Sequence, residues 1–173
     1  MKFVREIVFG AEDALVSTLG AVTGVAAGAG STFVVVLTGI VLIAVEATSM
    51  AAGSYLSTRS ASDAEFALAK DHGEKITQKS NRPITGAFVM WFSYAIAGIF
   101  PLLPYFFLPI RQAYLPSIII TAIILFALGA SVSRLTKRSS WKGGTEMVVI
   151  SLFAAGLGYL IGRIVSSFFG VSV

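Results

Sequence analysis

The sequence predicts an all-α integral membrane protein with five transmembrane helices, and two observations support this fold class. The 173 residues are 55% hydrophobic and 13% charged, with a mean hydropathy of +0.83, whereas soluble domains carry about 25% charged residues. Five apolar runs also have roughly the 20 residues that a helix needs to cross a bilayer. The composition therefore argues against a water-soluble enzyme and against a nucleic-acid-binding protein.

The five predicted spans follow one another through connections of unequal length. The segment from Gly28 to Ser31 predicts a tight turn, which makes the first two spans an antiparallel hairpin. Pro109 and Pro116 limit helix at the two edges of the short connection between the third and fourth spans. The spans are expected at about residues 7–28, 32–56, 86–108, 114–133 and 147–169.

The only long polar segment lies between the second and third spans. We expect residues 1–173 to form a single five-helix transmembrane domain, with residues 59–85 as a short cytoplasmic loop. About residues 61–71 of that loop can be helical. Acidic residues near the N-terminus, among them Glu12, interrupt the apolar run that a cleavable signal peptide would need, so we expect no such peptide.

The distribution of lysine and arginine predicts the orientation in the membrane. With the N-terminus in the cytoplasm, eleven of the 13 basic residues face the cytoplasm, and only Arg111 and Arg163 lie outside. Cytoplasmic loops carry an excess of lysine and arginine. Five spans then place the C-terminus outside.

Glu46 is the most informative single residue, because it is a carboxylate within an apolar span. A charged side chain at the bilayer centre costs about 2.5–3.5 kcal/mol on insertion scales, so such residues are functional candidates by default. Met50 and Ser54 follow at intervals of four residues and share its helix face. A carboxylate, a thioether and a hydroxyl could line a path for a divalent transition metal. Alternatively, Glu46 is a protonated packing residue and Met50 fills the core.

Other acidic residues offer further ligands for a cation. Asp13 and Ser17 share one face of the first span, and Asp13 is expected to lie several ångströms nearer the cytoplasm than Glu46. The alternative is favourable charge near a helix N-terminus. Weaker candidates are Glu12 beside Asp13 and three residues of the polar loop, which are most simply solvated: Asp71, His72 and Glu74. The absence of cysteine excludes thiolate metal sites and disulfides.

Glycine and proline residues suggest how the helices pack. Gly20, Gly24 and Gly28 recur every four residues on the first span, and this spacing lets another helix approach closely. The approaching helix belongs either to a second copy of the chain or to the same chain. Pro101, Pro104 and Pro109 either shape a vestibule near the outer face or end the third helix.

Four segments resemble the vacuolar iron transporter family. Residues 5–20, which include Arg-Glu-Ile-Val-Phe-Gly and Asp-Ala-Leu-Val-Ser, are similar to its opening helix. Residues 49–57, Ser-Met-Ala-Ala-Gly-Ser-Tyr-Leu-Ser, are similar to its second-helix signature. Residues 99–105 and 158–163 are similar to its third and last helices. Nearly the whole chain is covered, with these motifs in the family's order.

The resemblance implies a five-helix homodimer in the membrane lipid that exports Fe²⁺ or Mn²⁺ from the cytosol in exchange for protons. It places the path between the first two helices of each protomer, with Asp13 and Met50 at the family's positions and Glu46 as an acidic ligand one turn earlier. The metal is the cargo, and no resident cofactor is expected.

This chain departs from the family pattern at three places. Glu12 and Ala14 replace the usual Asn and Gly beside Asp13, and Ser54 replaces the signature Glu. Residues 59–85 stand where many relatives carry a larger, Glu-rich cytosolic metal-binding domain.

Three functions follow as alternatives. Proton-coupled export of Fe²⁺ or Mn²⁺ leads, followed by a passive divalent cation channel and a membrane scaffold that transports nothing. We expect no enzyme and no nucleic-acid partner, because the sequence carries no nucleotide-binding or hydrolase motif. The compact loop favours a prokaryotic plasma membrane over a vacuolar one.

Overall fold

The computed structural model describes residues 3–71 and 82–170, and these form five helices. All five are long and apolar enough to cross a membrane, which confirms the predicted all-α membrane fold in the described parts of the chain. The sidedness of the termini stays a prediction. The helices are α1 (Val4–Ala29), α2 (Thr32–Asp71), α3 (Pro83–Phe107), α4 (Ile110–Leu135) and α5 (Ser140–Phe169).

The turn between α1 and α2 matches the predicted hairpin. Gly30 ends α1 with a φ of 61°, a left-handed conformation that glycine adopts without strain from a Cβ atom. The chain then re-enters helix at Thr32, so α1 and α2 run antiparallel from one tight turn.

Helix α2 extends well past the predicted apolar span. It has 40 residues, which corresponds to a length of about 60 Å, twice the roughly 30 Å of a hydrocarbon core. Residues 57–71 contain no glycine or proline, and the Arg59 guanidinium lies 3.8 Å from the Asp63 carboxylate one turn later. The first part of the polar connection, as far as Asp71, is therefore a helical extension of α2. This extension includes the residues 61–71 that were predicted to be able to form helix.

Three prolines lie inside α3 and α4, whereas Pro83 and Pro109 lie at the starts of these helices. Pro101 and Pro104 are within α3, so these two prolines do not end the helix, which ends at Phe107 just before Pro109. Pro116 lies within α4, so the prediction that it limits helix there is wrong. Beside these prolines, the Ser117 hydroxyl of α4 donates a 2.6 Å hydrogen bond to the carbonyl of Pro101 and so links α4 to α3.

Helix α1 is the central element of the bundle, because it contacts all four other helices. Its buried side chains pack in two clusters with α2, α3 and α4. One cluster lies toward the α1–α2 turn, around Val22, Leu102 and Tyr105. The other lies toward the N-terminus, around Leu15 and Tyr94.

The glycine stripe of α1 packs against α5 of the same chain. A Cβ atom on Gly24 would lie 2.7 Å from the carbonyl oxygen of Gly158, and one on Gly28 would lie 3.0 Å from that of Gly162. In return, a Cβ on Gly158 would overlap the carbonyl oxygen of Gly20. Of the two partners considered for this stripe, the structure shows the intramolecular one. The two helices approach until their backbones touch.

Candidate cation site

The candidate site lies in a seam where α3 packs into the groove between α1 and α2. Gly98 of α3 faces Thr18 of α1 and Ile43 of α2, whose side-chain atoms would lie 3.3 Å and 2.8 Å from a Cβ on the glycine. Nearer the N-terminus, Gly86 faces side chains of the same two helices. These contacts set the register of the three helices along the seam.

Asp13 and Glu46 lie at nearly the same level on facing helices. Counted from the α1–α2 turn with a rise of 1.5 Å per residue, their Cα atoms differ in height by about 3 Å, with Asp13 nearer the N-terminal end of the bundle. Both residues are half-buried, and their carboxylates are close enough to repel one another. The structure thus brings together the two acids that the sequence singled out.

Counted from the α1–α2 turn, Glu46 lies past the middle of the part of α2 that is long enough to cross a bilayer. It is about 21 Å from Thr32 along the helix axis, whereas the hydrocarbon core is roughly 30 Å thick. Glu12 is half-buried beside Asp13, and its charge repels that of Asp13. The three carboxylates therefore belong to the half of the bundle that contains the N-terminus.

Tyr94 of α3 joins this acidic pair and is a residue that sequence reasoning missed. Its side chain is fully buried, and its hydroxyl forms a 2.7 Å hydrogen bond with the Ser17 hydroxyl. Tyr94 also interacts electrostatically with Asp13 and Glu46. The signal in the sequence was a tyrosine within an apolar run, since a buried tyrosine hydroxyl usually requires a polar partner.

Two methionines lie one level nearer the N-terminus. Met50 is partly buried against the cluster that contains Ala47 and Tyr94. Met90 of α3 is buried, and its sulfur would lie 3.0 Å from a Cβ on Gly10. Met90 and Met50 lie at about the same level along the seam. The neighbouring contact between α3 and α2 fixes this register, because the Trp91 indole nitrogen donates a 3.4 Å hydrogen bond to the Thr48 hydroxyl. Sequence analysis gave Met90 no role.

The other residues that the sequence predicts as ligands do not join the acidic pair in the described structure. Ser54 is buried, and its hydroxyl has no hydrogen-bond partner among the described residues. His72, Glu74 and the side chain of Asp71 lie outside the described residues. Within residues 3–71 and 82–170, no three His, Cys, Asp or Glu side chains are grouped to hold a metal ion. The described part of the seam therefore places its acidic and hydroxyl side chains at successive levels rather than in one cluster.

Comparison with known proteins identifies the family. The model of the VIT family matches residues 4–79 and 65–163, two overlapping segments that together cover the first four helices and most of α5. The chain belongs to the VIT family. Membership confirms the resemblance inferred from the sequence motifs.

Two VIT family relatives show how far the similarity extends. Vacuolar iron transporter 1 of Eucalyptus grandis is 23% identical over 218 residues, with 96% of this chain and 88% of the relative covered. Because 218 exceeds the 173 residues of this chain, that alignment contains gaps in this chain. Vacuolar iron transporter homolog 4 of Arabidopsis thaliana is 30% identical over 135 residues, with 75% of this chain and 68% of the relative covered.

Proposed function

We propose that the protein exports Fe²⁺ or Mn²⁺ from the cytosol across a membrane in exchange for protons. The observation that carries the proposal is the pair Asp13 and Glu46, half-buried at one level on facing helices of a membrane bundle. Membership of the VIT family supports metal transport, and two relatives are named as an iron transporter and an iron transporter homolog.

The physical basis of the exchange is charge neutralisation. Two carboxylates withdrawn from water repel one another and lose solvation, and both penalties are removed when the pair is neutralised. One divalent cation neutralises the pair, and so do two protons. A site that accepts either can release metal when protons arrive from the outer side, and release protons when metal arrives from the cytosol.

The thioethers of Met50 and Met90 favour Fe²⁺ over Mg²⁺ and Ca²⁺, whereas Mn²⁺ would be held by the carboxylate oxygens. Carboxylate oxygens bind most divalent cations, whereas thioether sulfur is a soft ligand that favours late transition metals over Mg²⁺ and Ca²⁺. An ion that moves from the N-terminal end toward Asp13 and Glu46 passes the level of both methionines.

The proposal also includes the oligomeric state of the transporter and the membrane in which it lies. An outward face of α2 carries exposed apolar side chains, including Phe33, Val41 and Val45, and we propose that lipid and a second copy of the chain cover them in a homodimer. We propose a prokaryotic plasma membrane as the location, with the N-terminus in the cytoplasm.

The test is metal flux into proteoliposomes with and without a pH gradient. We expect Fe²⁺ and Mn²⁺ flux to rise with the gradient in the wild-type protein and to fall at least 100-fold in Glu46→Gln, in line with the several kcal/mol that a charged ligand contributes. Glu65→Gln is the matched control, because Glu65 is an exposed carboxylate farther along the same helix. Its flux should equal that of the wild-type protein.

Each other outcome points to a different function. Metal flux that does not change with the pH gradient favours a passive channel. Undiminished flux in Glu46→Gln contradicts the role of the acidic pair. Absence of Fe²⁺ and Mn²⁺ flux in the wild-type protein favours a scaffold, and the Glu46 substitution would then change only thermal stability.

A further inference from the structure

A second pair of polar side chains lies at the N-terminal end of the seam. Glu6 of α1 and Ser54 of α2 are 9% and 6% exposed. The Oε2 atom of Glu6 and the hydroxyl of Ser54 are buried without a hydrogen-bond partner among the described residues. Buried polar atoms in folded proteins are nearly always paired, with protein, water or a ligand. Two unpaired oxygens therefore require an explanation.

The two side chains face the same small space beside α3. A Cβ atom on Gly86 would lie 3.9 Å from Cγ of Glu6 and 3.9 Å from the hydroxyl oxygen of Ser54. The ring of Phe3 would lie 4.0 Å away and borders the space. Because residue 86 is glycine, no side chain of α3 occupies the position between the carboxylate and the hydroxyl.

The position of this pair relates it to the acidic pair deeper in the bundle. Glu6 precedes Asp13 by seven residues on α1, two turns on the same helix face, and Ser54 follows Glu46 by eight residues on α2. Glu6 and Ser54 therefore lie about 10 Å closer to the N-terminal end than Asp13 and Glu46 do. The methionine level separates the two pairs.

We propose that Glu6 and Ser54 form a staging site for a hydrated divalent cation at the cytosolic mouth of the seam, an inference that rests on the proposed export function. The carboxylate and the hydroxyl supply hard oxygen ligands, and water completes the coordination shell, as is usual where the protein contributes few ligands. Arg5 contacts the other carboxylate oxygen of Glu6 at 3.5 Å. Its side chain is 72% exposed and can turn into solvent when a cation enters.

Ser54 sets the strength of this site. Because the α2 residue here is serine, only one carboxylate, that of Glu6, faces the space beside Gly86. A site with a single charge binds an ion weakly and releases it readily toward Asp13 and Glu46. A second carboxylate at this position would hold the ion more tightly, because charge count is a main determinant of divalent cation affinity.

The experiment counts Mn²⁺ bound to the purified full-length protein in detergent, by electron paramagnetic resonance of free Mn²⁺. We expect two classes of site in the wild-type protein, a tight one at Asp13 and Glu46 and a weak one at Glu6 and Ser54. Glu6→Gln should remove the weak class and keep the tight one. Ser54→Glu should strengthen the weak class roughly tenfold, in proportion to the added ligand charge. Glu65→Gln should bind as the wild-type protein does.

The outcomes separate this inference from the proposed function. Weak Mn²⁺ binding that is unchanged in Glu6→Gln overturns the staging site, even where Glu46→Gln still abolishes the tight class. Loss of neither class in Glu46→Gln contradicts the export site instead. Should Glu6→Gln fail to fold, Ser54→Glu decides the question, because unchanged weak affinity in that variant also overturns the inference.

Discussion

At the scale of single residues, the hydrogen bond between Tyr94 and Ser17 links the seam helices α1 and α3. Tyr94→Phe removes the hydroxyl that Ser17 contacts at 2.7 Å. Hydrogen bonds between membrane helices contribute about 0.6 kcal/mol on average. We expect the free energy of unfolding to fall by about that amount, as measured by detergent titration of the refolded protein.

The matched control for this substitution is Tyr159→Phe. Tyr159 is 45% exposed on α5, so loss of its hydroxyl should leave the free energy of unfolding unchanged. An equal loss in both variants would show that the Tyr94 hydroxyl has no special role in holding α1 against α3.

The residues that could be predicted from sequence are those whose chemistry conflicts with their surroundings. Glu46 was found because a carboxylate within an apolar run carries a large transfer penalty, and the facing position of Asp13 followed from the hairpin. Met90 and Tyr94 were missed because apolar and aromatic residues are ordinary in a membrane span. Their relation to the site depends on the α1–α3 register, which no local pattern encodes.

At the scale of helices, the contact between α1 and α5 depends on glycine. A Cβ on Gly158 would overlap the carbonyl oxygen of Gly20, so Gly158→Ala forces two backbones apart. We expect a loss of about 1–3 kcal/mol in the free energy of unfolding, as for other overpacked sites. The measurement is the same detergent titration.

Gly156→Ala is the control within the same helix. No atom lies within 4 Å of a Cβ at that position, so alanine fits and its better helix propensity favours a small gain in stability. A loss at position 156 as large as that at position 158 would mean that glycine matters here for a reason other than close approach.

Element boundaries show what sequence patterns leave open. The number of spans was predicted correctly because apolar runs of membrane length are distinctive. The ends of α2 and α5 differed, since both helices continue through polar residues beyond the apolar run, in α5 even through Gly143 and Gly144. Helix α5 begins at Ser140, about two turns before the predicted apolar run. Hydropathy locates the part of a helix in lipid, not the whole helix.

At the scale of the whole molecule, the positive-inside prediction can be checked on one helix. Arg111 and Arg138 are exposed near opposite ends of α4. The sequence has no cysteine, so Arg111→Cys and Arg138→Cys each create one thiol. In intact cells, a membrane-impermeant maleimide should label position 111 and not position 138, while both react after lysis. The cysteine-free parent is the control, and labelling of position 138 alone would reverse the orientation.

The glycine contact between α1 and α5 also has a mechanical consequence. Helices whose backbones touch cannot slide past one another without separating, so α1 and α5 behave as one stiff frame. Helix α2 contacts α1 less extensively than α5 does, and it carries exposed apolar side chains on its outward face. On the proposed transport function, we therefore expect a change in access to the acidic pair to be a tilt of α2 against α1, which alters the separation of Glu46 from Asp13.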